Sequence, residues 1–289
     1  MKPKDITTKI FLDSGSAEDT KLILDTLGFI DGQTTNPSLF VKNKGVQERL
    51  AKGEKFSKQE VNDTYKKLIK DIRYLIPGKS VSIEVYADAE TTIDEILEQA
   101  REMNTWVEQP HIKLPVTSAG LAAAEILTAE GMKVNMTVVF EEEQAVAVYS
   151  ATQNAKKGDV FVSPFEGRLD DVGVDGLNII SNIQKLYNEK SDGHVEVLMA
   201  SVRDLNHFVY ALEVGYDIIT APTKILLEWH ELGMPTKVYG EVHQQELIHT
   251  EYKDIYLYND FREYDIQHDL TDKGLKKFAD DWNNILKEE

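Results

Sequence analysis

The sequence predicts an α/β protein, a closed (β/α)8 barrel of the TIM type with an extra C-terminal helical tail. Three observations point there. Short apolar strands alternate with helices eight times between Lys9 and Leu232, the rhythm of a parallel sheet. No G-x-G-x-x-G or G-x-x-x-x-G-K-[ST] turn occurs, which disfavours the runner-up, an open doubly wound sheet holding a nucleotide. From Lys237 onward the β-α rhythm stops. The chain therefore divides into a barrel domain, 1–236, and an extension, 237–289, packed on the barrel or on a neighbouring subunit.

In order, Lys9 to Asp13 reads as the first strand and Ser16 to Leu27 as a helix capped by Ser16. Phe29 to Thr34 is the second strand, entering Asn36-Pro37-Ser38, where proline suits the first turn of a helix. A lysine-rich polar insertion, 42–58, precedes a helix over 59–76. Val81 to Tyr86 is the third strand and Ala89 to Met103 its helix. The fourth strand lies within Gln109 to Val116, followed by a helix from Ser118, its expected cap, to Glu130. Strands at 133–139, 159–163, 194–200 and 217–221 follow, with helices at 141–152, 177–189 and 205–214 and one opened by Pro222. The segment 164–176 reads as a Gly/Asp-rich loop. The tail is rich in tyrosine (239, 252, 256, 258, 264) and ends in an amphipathic helix, 271–287, with Leu275, Phe278, Trp282, Ile285 and Leu286 at helical spacing.

Composition narrows the function. A formal net charge of −18 argues against nucleic acid and anionic membranes as partners, but leaves room for a small anion in a local basic pocket. There is no cysteine, hence no disulfide or thiolate chemistry. Met1 to Thr8 is polar, no stretch approaches 18 apolar residues, and a cytoplasmic location is expected.

Strand side chains alternate between two faces. The polar ones fall repeatedly on one face near the strand ends, where barrel active sites lie. Asp13 opposes Ile10 and Leu12; Ser82, Glu84 and Tyr86 oppose Val81, Ile83 and Val85; Lys113 opposes Ile112 and Leu114. Asn135 and Thr137 oppose Val134, Met136 and Val138, and Ser163 opposes Val160 and Val162. Asn36 follows the second strand; Ser201 and Arg203 follow the seventh. Alone, Lys113 would read as an edge or salt-bridged lysine; convergence on one cleft marks a site. The only histidine on that face is His111, so the chemistry narrows to a lysine with carboxylates, suited to a Schiff base on a carbonyl substrate with Asp13 and Glu84 carrying protons. Arg168 and Arg203 are the arginines near these strand ends, suited to a phosphate or similar oxyanion. His243, Glu246 and His249 are three residues apart, which spreads them around a helix, and no metal site is expected there.

These residues resemble the transaldolases and their fructose-6-phosphate aldolase relatives. The likeness rests on Asp-Ser-Gly at 13–15, Thr-Thr-Asn-Pro-Ser-Leu at 34–39, Ser-Ile-Glu-Val at 82–85 and Ile-Lys-Leu-Pro-Val-Thr-x-x-Gly at 112–120. It continues in Asn-x-Thr at 135–137, Ser-Pro-Phe-x-Gly-Arg at 163–168 and Ala-Ser-x-Arg at 200–203. The resemblance implies a class I aldolase barrel of the pentose phosphate pathway, needing no metal and no other cofactor. It makes Lys113 the Schiff-base nucleophile, Asp13 the proton acceptor at the C4 hydroxyl, and Glu84 with Thr137 the holders of a proton-shuttling water. Asn36, Asn135 and Ser163 would hold the dihydroxyacetone unit, with Thr34 and Phe165 also lining the substrate site. Arg168, Ser201 and Arg203 would hold the phosphate. Glu84 and Phe165 resemble the transferring branch; the surroundings of Lys113 resemble the short aldolase branch. Transfer of dihydroxyacetone between sugar phosphates is thus expected, in a homo-oligomer. Alternatives are a lyase releasing free dihydroxyacetone, an enzyme for a sulfonated sugar, and a non-catalytic sugar-phosphate-binding barrel.

Overall fold

A computed structural model describes residues 2–238, 240, 242 and 246–287. Eight parallel strands close in sequence order into a barrel. They are β1 Lys9–Asp13, β2 Gly32–Thr34, β3 Ser80–Glu84, β4 His111–Pro115, β5 Lys133–Val139, β6 Val160–Pro164, β7 Val195–Met199 and β8 Ile218–Ala221. The helices are α1 Ala17–Leu27, α2 Pro37–Val41, α3 Lys44–Leu50, α4 Lys58–Leu75, α5 Ile93–Asn104, α6 Ser118–Ala129 and α7 Glu142–Ala151, then α8 Glu166–Asp170, α9 Gly176–Lys190, α10 Leu205–Val214, α11 Thr223–Glu231 and α12 Asp269–Asn283. The α/β barrel expectation holds. Outward strand residues such as Ile10, Leu12, Ile83, Ile112, Leu114 and Met136 are wholly buried beneath the helix ring. This is why parity separates apolar from polar residues so cleanly: the apolar face packs the helices and the other fills the lumen.

Local chemistry sets most helix starts. Ser16 Oγ accepts from Asp19 N at 3.2 Å, and Asn36 Oδ1 caps α2 through Leu39 N at 2.9 Å, with Pro37 in the first turn. Several boundaries differ from expectation. Thr117, not Ser118, caps α6, its Oγ1 accepting from Gly120 N at 3.1 Å. The helix expected from Ala89 starts at Ile93, because Thr92 and Glu95 form a reciprocal capping box. Strand β2 starts at Gly32; before it, Phe29 leaves the sheet to pack edge-on against Trp229, centroids 6.5 Å apart. The polar insertion contains α3, capped by Asn43, and the expected loop at 164–176 contains α8.

The tail is helical only in part. Before α12 its described residues run mostly as irregular chain with one 3-10 turn, Phe261–Glu263. A bridge joins Val174 to Ile248, and another joins Phe56 to Leu286. Helix α12 lies across its own barrel, against α2 and β5. Thr271 Oγ1 donates to Val138 O at 2.9 Å. Val138 sits at a bulge in β5 with φ of 57°, a costly conformation for a β-branched residue, which turns its carbonyl out of the ladder at the helix. Gly274 permits the close approach: a Cβ there would stand 2.7 Å from an Arg168 guanidinium nitrogen and 3.0 Å from Val138. Tyr239 and His243, noted in the sequence, lie outside the described residues.

Candidate active site

A cavity of about 300 Å³ opens at the C-terminal ends of the strands. Its lining includes Asp13, Thr34, Asn36, Lys113, Ser163, Phe165, Arg168 and Ser201, drawn from strand ends and loops across the chain. Lys113 is the structural centre. Its side chain is 4% exposed, and Nζ lies 2.9 Å from Glu84 Oε2. Strand register explains the pairing, since Glu84 and Lys113 are direct partners across β3 and β4. Gly120 protects the local geometry after the lysine: a Cβ there would stand 1.9 Å from Pro115 O, so α6 could not start so close to the strand end.

Both carboxylates are held to favour carrying protons. Burial pushes Asp13 above the ordinary carboxylate range, against the opposing charge of Lys113 and the hydroxyl of Thr34. Burial likewise raises Glu84, again opposed by Lys113. Thr34 Oγ1 donates to Asp13 Oδ1 at 2.7 Å. With Asp13 ionised that uses the only proton of Thr34, and the 2.6 Å contact with Thr220 is then donated by Thr220. Behind Glu84, Tyr65 Oη accepts from Glu84 N at 3.2 Å and bonds Thr35 Oγ1 at 2.6 Å. Thr35 in turn donates to Ser82 O at 2.8 Å, so the carboxylate's backbone is fixed by a buried chain.

Ser163 Oγ donates to Asn135 Oδ1 at 2.7 Å, and Asn135 Nδ2 donates to Ser82 Oγ at 3.1 Å. Thr137 is wholly buried, and its hydroxyl has no hydrogen-bond partner among the described residues. Arg168 is wedged between the rings of Phe165 and Phe278, 5.0 and 5.2 Å from its guanidinium carbon, and makes no ion pair among the described residues. That leaves its donors for an anion in the cavity.

Other residues singled out in the sequence lie outside the cavity lining. His111 shares the face of Lys113 but lies at the opposite end of the barrel, stacked on Phe161 at 4.0 Å. It donates from Nε2 to Gly158 O at 3.0 Å and bonds Ser80 through Nδ1 at 2.9 Å. Burial pushes its pKa down to about 3, so it is a neutral structural group. Tyr86 lies beyond β3 and turns to Asp88 and Asn283, at 2.9 and 3.0 Å. Arg203 is half exposed and ion-paired to Asp171, outside the cavity lining. His249 lies 3.2 Å from Asp175.

The sequence reading missed Thr220, whose parity on β8 would have found it. It also missed Lys42, Lys277, Phe278 and Asp281 in the lining. Asp281 accepts from Ser38 and Lys277 at the rim. Nothing in the local pattern of the tail announces that its helix covers the cavity.

The transaldolase/fructose-6-phosphate aldolase family model matches residues 10–289. The chain belongs to this family. A probable transaldolase of Methanococcus vannielii is 35% identical over 280 residues, covering 96% of this chain and 99% of that one. One of Brucella ovis is 33% identical over 274 residues (95% and 96%), and one of Nitrosopumilus maritimus 31% over 280 (97% of each). The family match includes α12, whose Lys277, Phe278 and Asp281 line the cavity. No helix of the described residues is long and apolar enough to cross a membrane.

Proposed function

We propose that this enzyme is a transaldolase that moves a dihydroxyacetone unit from a ketose phosphate to an aldose acceptor through a Schiff base on Lys113. The observation that carries this reading is a buried lysine amine 2.9 Å from Glu84, in one site with Asp13.

The amine reacts only after losing a proton, and Glu84 is the adjacent acceptor. Lys113 Nζ then adds to the ketose carbonyl, and the carbinolamine expels water with a proton returned from the Glu84 side; the role assigned to Thr137, whose hydroxyl has no partner among the described residues, is to hold that water. As the C3–C4 bond breaks, Asp13 takes the C4 hydroxyl proton, C4 leaves as an aldehyde, and the electron pair is held by the iminium as an enamine. The enamine then gives that pair from C3 to the carbonyl carbon of a second aldehyde, forming the new C–C bond, while Asp13 returns its proton to the resulting alkoxide. Water then frees the product and the lysine. Asn36, Asn135 and Ser163 hold the three-carbon unit; Arg168 and Ser201 hold the anionic group. Arg203 joins them by exchanging Asp171 for the substrate. The Phe165 ring, its centroid 5.9 Å from Nζ, offers no hydroxyl to hold water, which favours transfer to an aldehyde over simple protonation.

Borohydride added with fructose 6-phosphate should fix a six- or three-carbon adduct on Lys113, read by peptide mass. Absence of an adduct overturns the mechanism. Product analysis with and without an aldose phosphate separates transfer from lysis: free dihydroxyacetone accumulating without acceptor would favour the lyase. A sulfonated ketose in the donor panel tests the other anion.

A further inference from the structure

One buried titratable cluster takes no part in this chemistry. Glu166 and Asp170 lie one helical turn apart on α8, and His207 comes from the first turn of α10. Their polar atoms lie within 4.8 Å of one another. His207 Nδ1 is 2.6 Å from Glu166 Oε1 and 3.7 Å from Asp170 Oδ2. Asp170 Oδ1 accepts from Gly176 N at 3.0 Å. Glu166 and His207 are 1% and 5% exposed. A buried charged pair is a poor source of stability by itself, because desolvation opposes the attraction. What this pair does fix is α8.

That helix has only five residues, too few to persist without tertiary anchors. Arg168 stands between the two carboxylates in sequence and reaches into the cavity. Gly167 seats α8 directly on the end of β7: a Cβ there would stand 2.5 Å from Ser201 O. Glu166 N also donates to Ala200 O at 3.0 Å. The Glu166 carboxylate bonds His207, and Arg168 makes no ion pair among the described residues.

We propose that Glu166 and His207 are positioning residues that hold α8 so that Arg168 meets the substrate's anionic group. The inference rests on the functional reading above in taking that group to be a sugar phosphate. Its test is read first without turnover. Orthophosphate binding is measured by calorimetry on the parent, on His207→Leu, which removes the donor but keeps bulk, and on His207→Asn, which restores an N–H near the place of Nδ1. Phosphate affinity in His207→Leu should fall about 10-fold, the scale of one charge-assisted hydrogen bond, and His207→Asn should recover most of it. KM for the phosphorylated donor should rise in parallel while kcat stays close to the parent's. Glu166→Gln, which keeps shape and loses charge, gives the same readout if His207→Leu fails to fold. Unchanged phosphate affinity in a folded variant overturns the proposal, as does an equal loss on phosphorylated and unphosphorylated donors. So does a zinc-induced rise in melting temperature seen in the parent and absent from His207→Leu, which would make the cluster a metal site. A parent that binds phosphate without transaldolase turnover refutes the functional reading and leaves this test intact; a parent that turns over the phosphorylated donor and binds no orthophosphate overturns this proposal alone.

Discussion

Two layers of the same barrel, separated by two residues along each strand, do opposite work. The lower layer contains Phe11, His111 and Phe161; the upper contains Asp13, Lys113 and Ser163. Two residues of rise are roughly 6.6 Å. Below, Phe11 meets Phe161 edge-on with centroids 5.9 Å apart, its ring lies over Gly32, and His111 has both ring nitrogens bonded. Lys9 and Glu196 close the floor with an ion pair at 2.9 Å. Above, Lys113 and Arg168 face a cavity, the Thr137 hydroxyl has no partner among the described residues, and two carboxylates are pushed toward protonation. A satisfied polar plug stabilises the barrel; an incompletely satisfied one leaves interactions for a substrate to complete.

The contrast breaks most sharply at Lys113. Lys113→Met should lower kcat/KM by a factor on the order of 10⁵ or more, the scale of losing a covalent nucleophile, and should abolish trapping while the protein stays folded. Steady-state kinetics with circular dichroism checks both. Asp13→Asn should retain adduct formation and lose about 10²- to 10⁴-fold in turnover, as for loss of a general acid–base group. Trapping that fails in this variant would move Asp13 into the amine-activation step. The lower layer should answer in the opposite currency. Phe161→Ala should cost about 3–5 kcal/mol in denaturant unfolding and leave the kcat of the folded enzyme unchanged. His111→Leu should cost about 1–3 kcal/mol, because Gly158 O loses its donor.

The smallest effect concerns pH. Burial, against the His207 bond, raises Glu166 from an ordinary 4.5 to about 7; burial lowers His207, but the Glu166 bond and nearby acids outweigh it, to about 8. Both groups are raised in the folded state, so the pair's contribution is present at low pH and lost as pH rises through neutrality. The parent's melting temperature should therefore fall more steeply between pH 5 and 8.5 than that of the Glu166→Gln/His207→Leu double variant. Parallel slopes would place both groups at ordinary values.

The sequence by itself determined the barrel and the inward face of strands β1, β3, β4, β5 and β6. Alternation has a period of two and needs only one apolar face against helices, so Asp13, Glu84, Lys113, Thr137 and Ser163 could be assigned inward without coordinates. The Ser16 cap was readable for the same local reason, whereas Thr117 was passed over for its neighbour Ser118 and the Thr92–Glu95 box for an earlier start at Ala89. Height along the barrel was not readable. His111 and Lys113 have the same parity, and only the register of eight closed strands puts one in the floor and the other in the site. Tertiary structure also placed Phe278 and Asp281 over the cavity, wedged Arg168 between two rings, and paired Arg203 with Asp171. These contacts join residues far apart in the chain, and no local period encodes them.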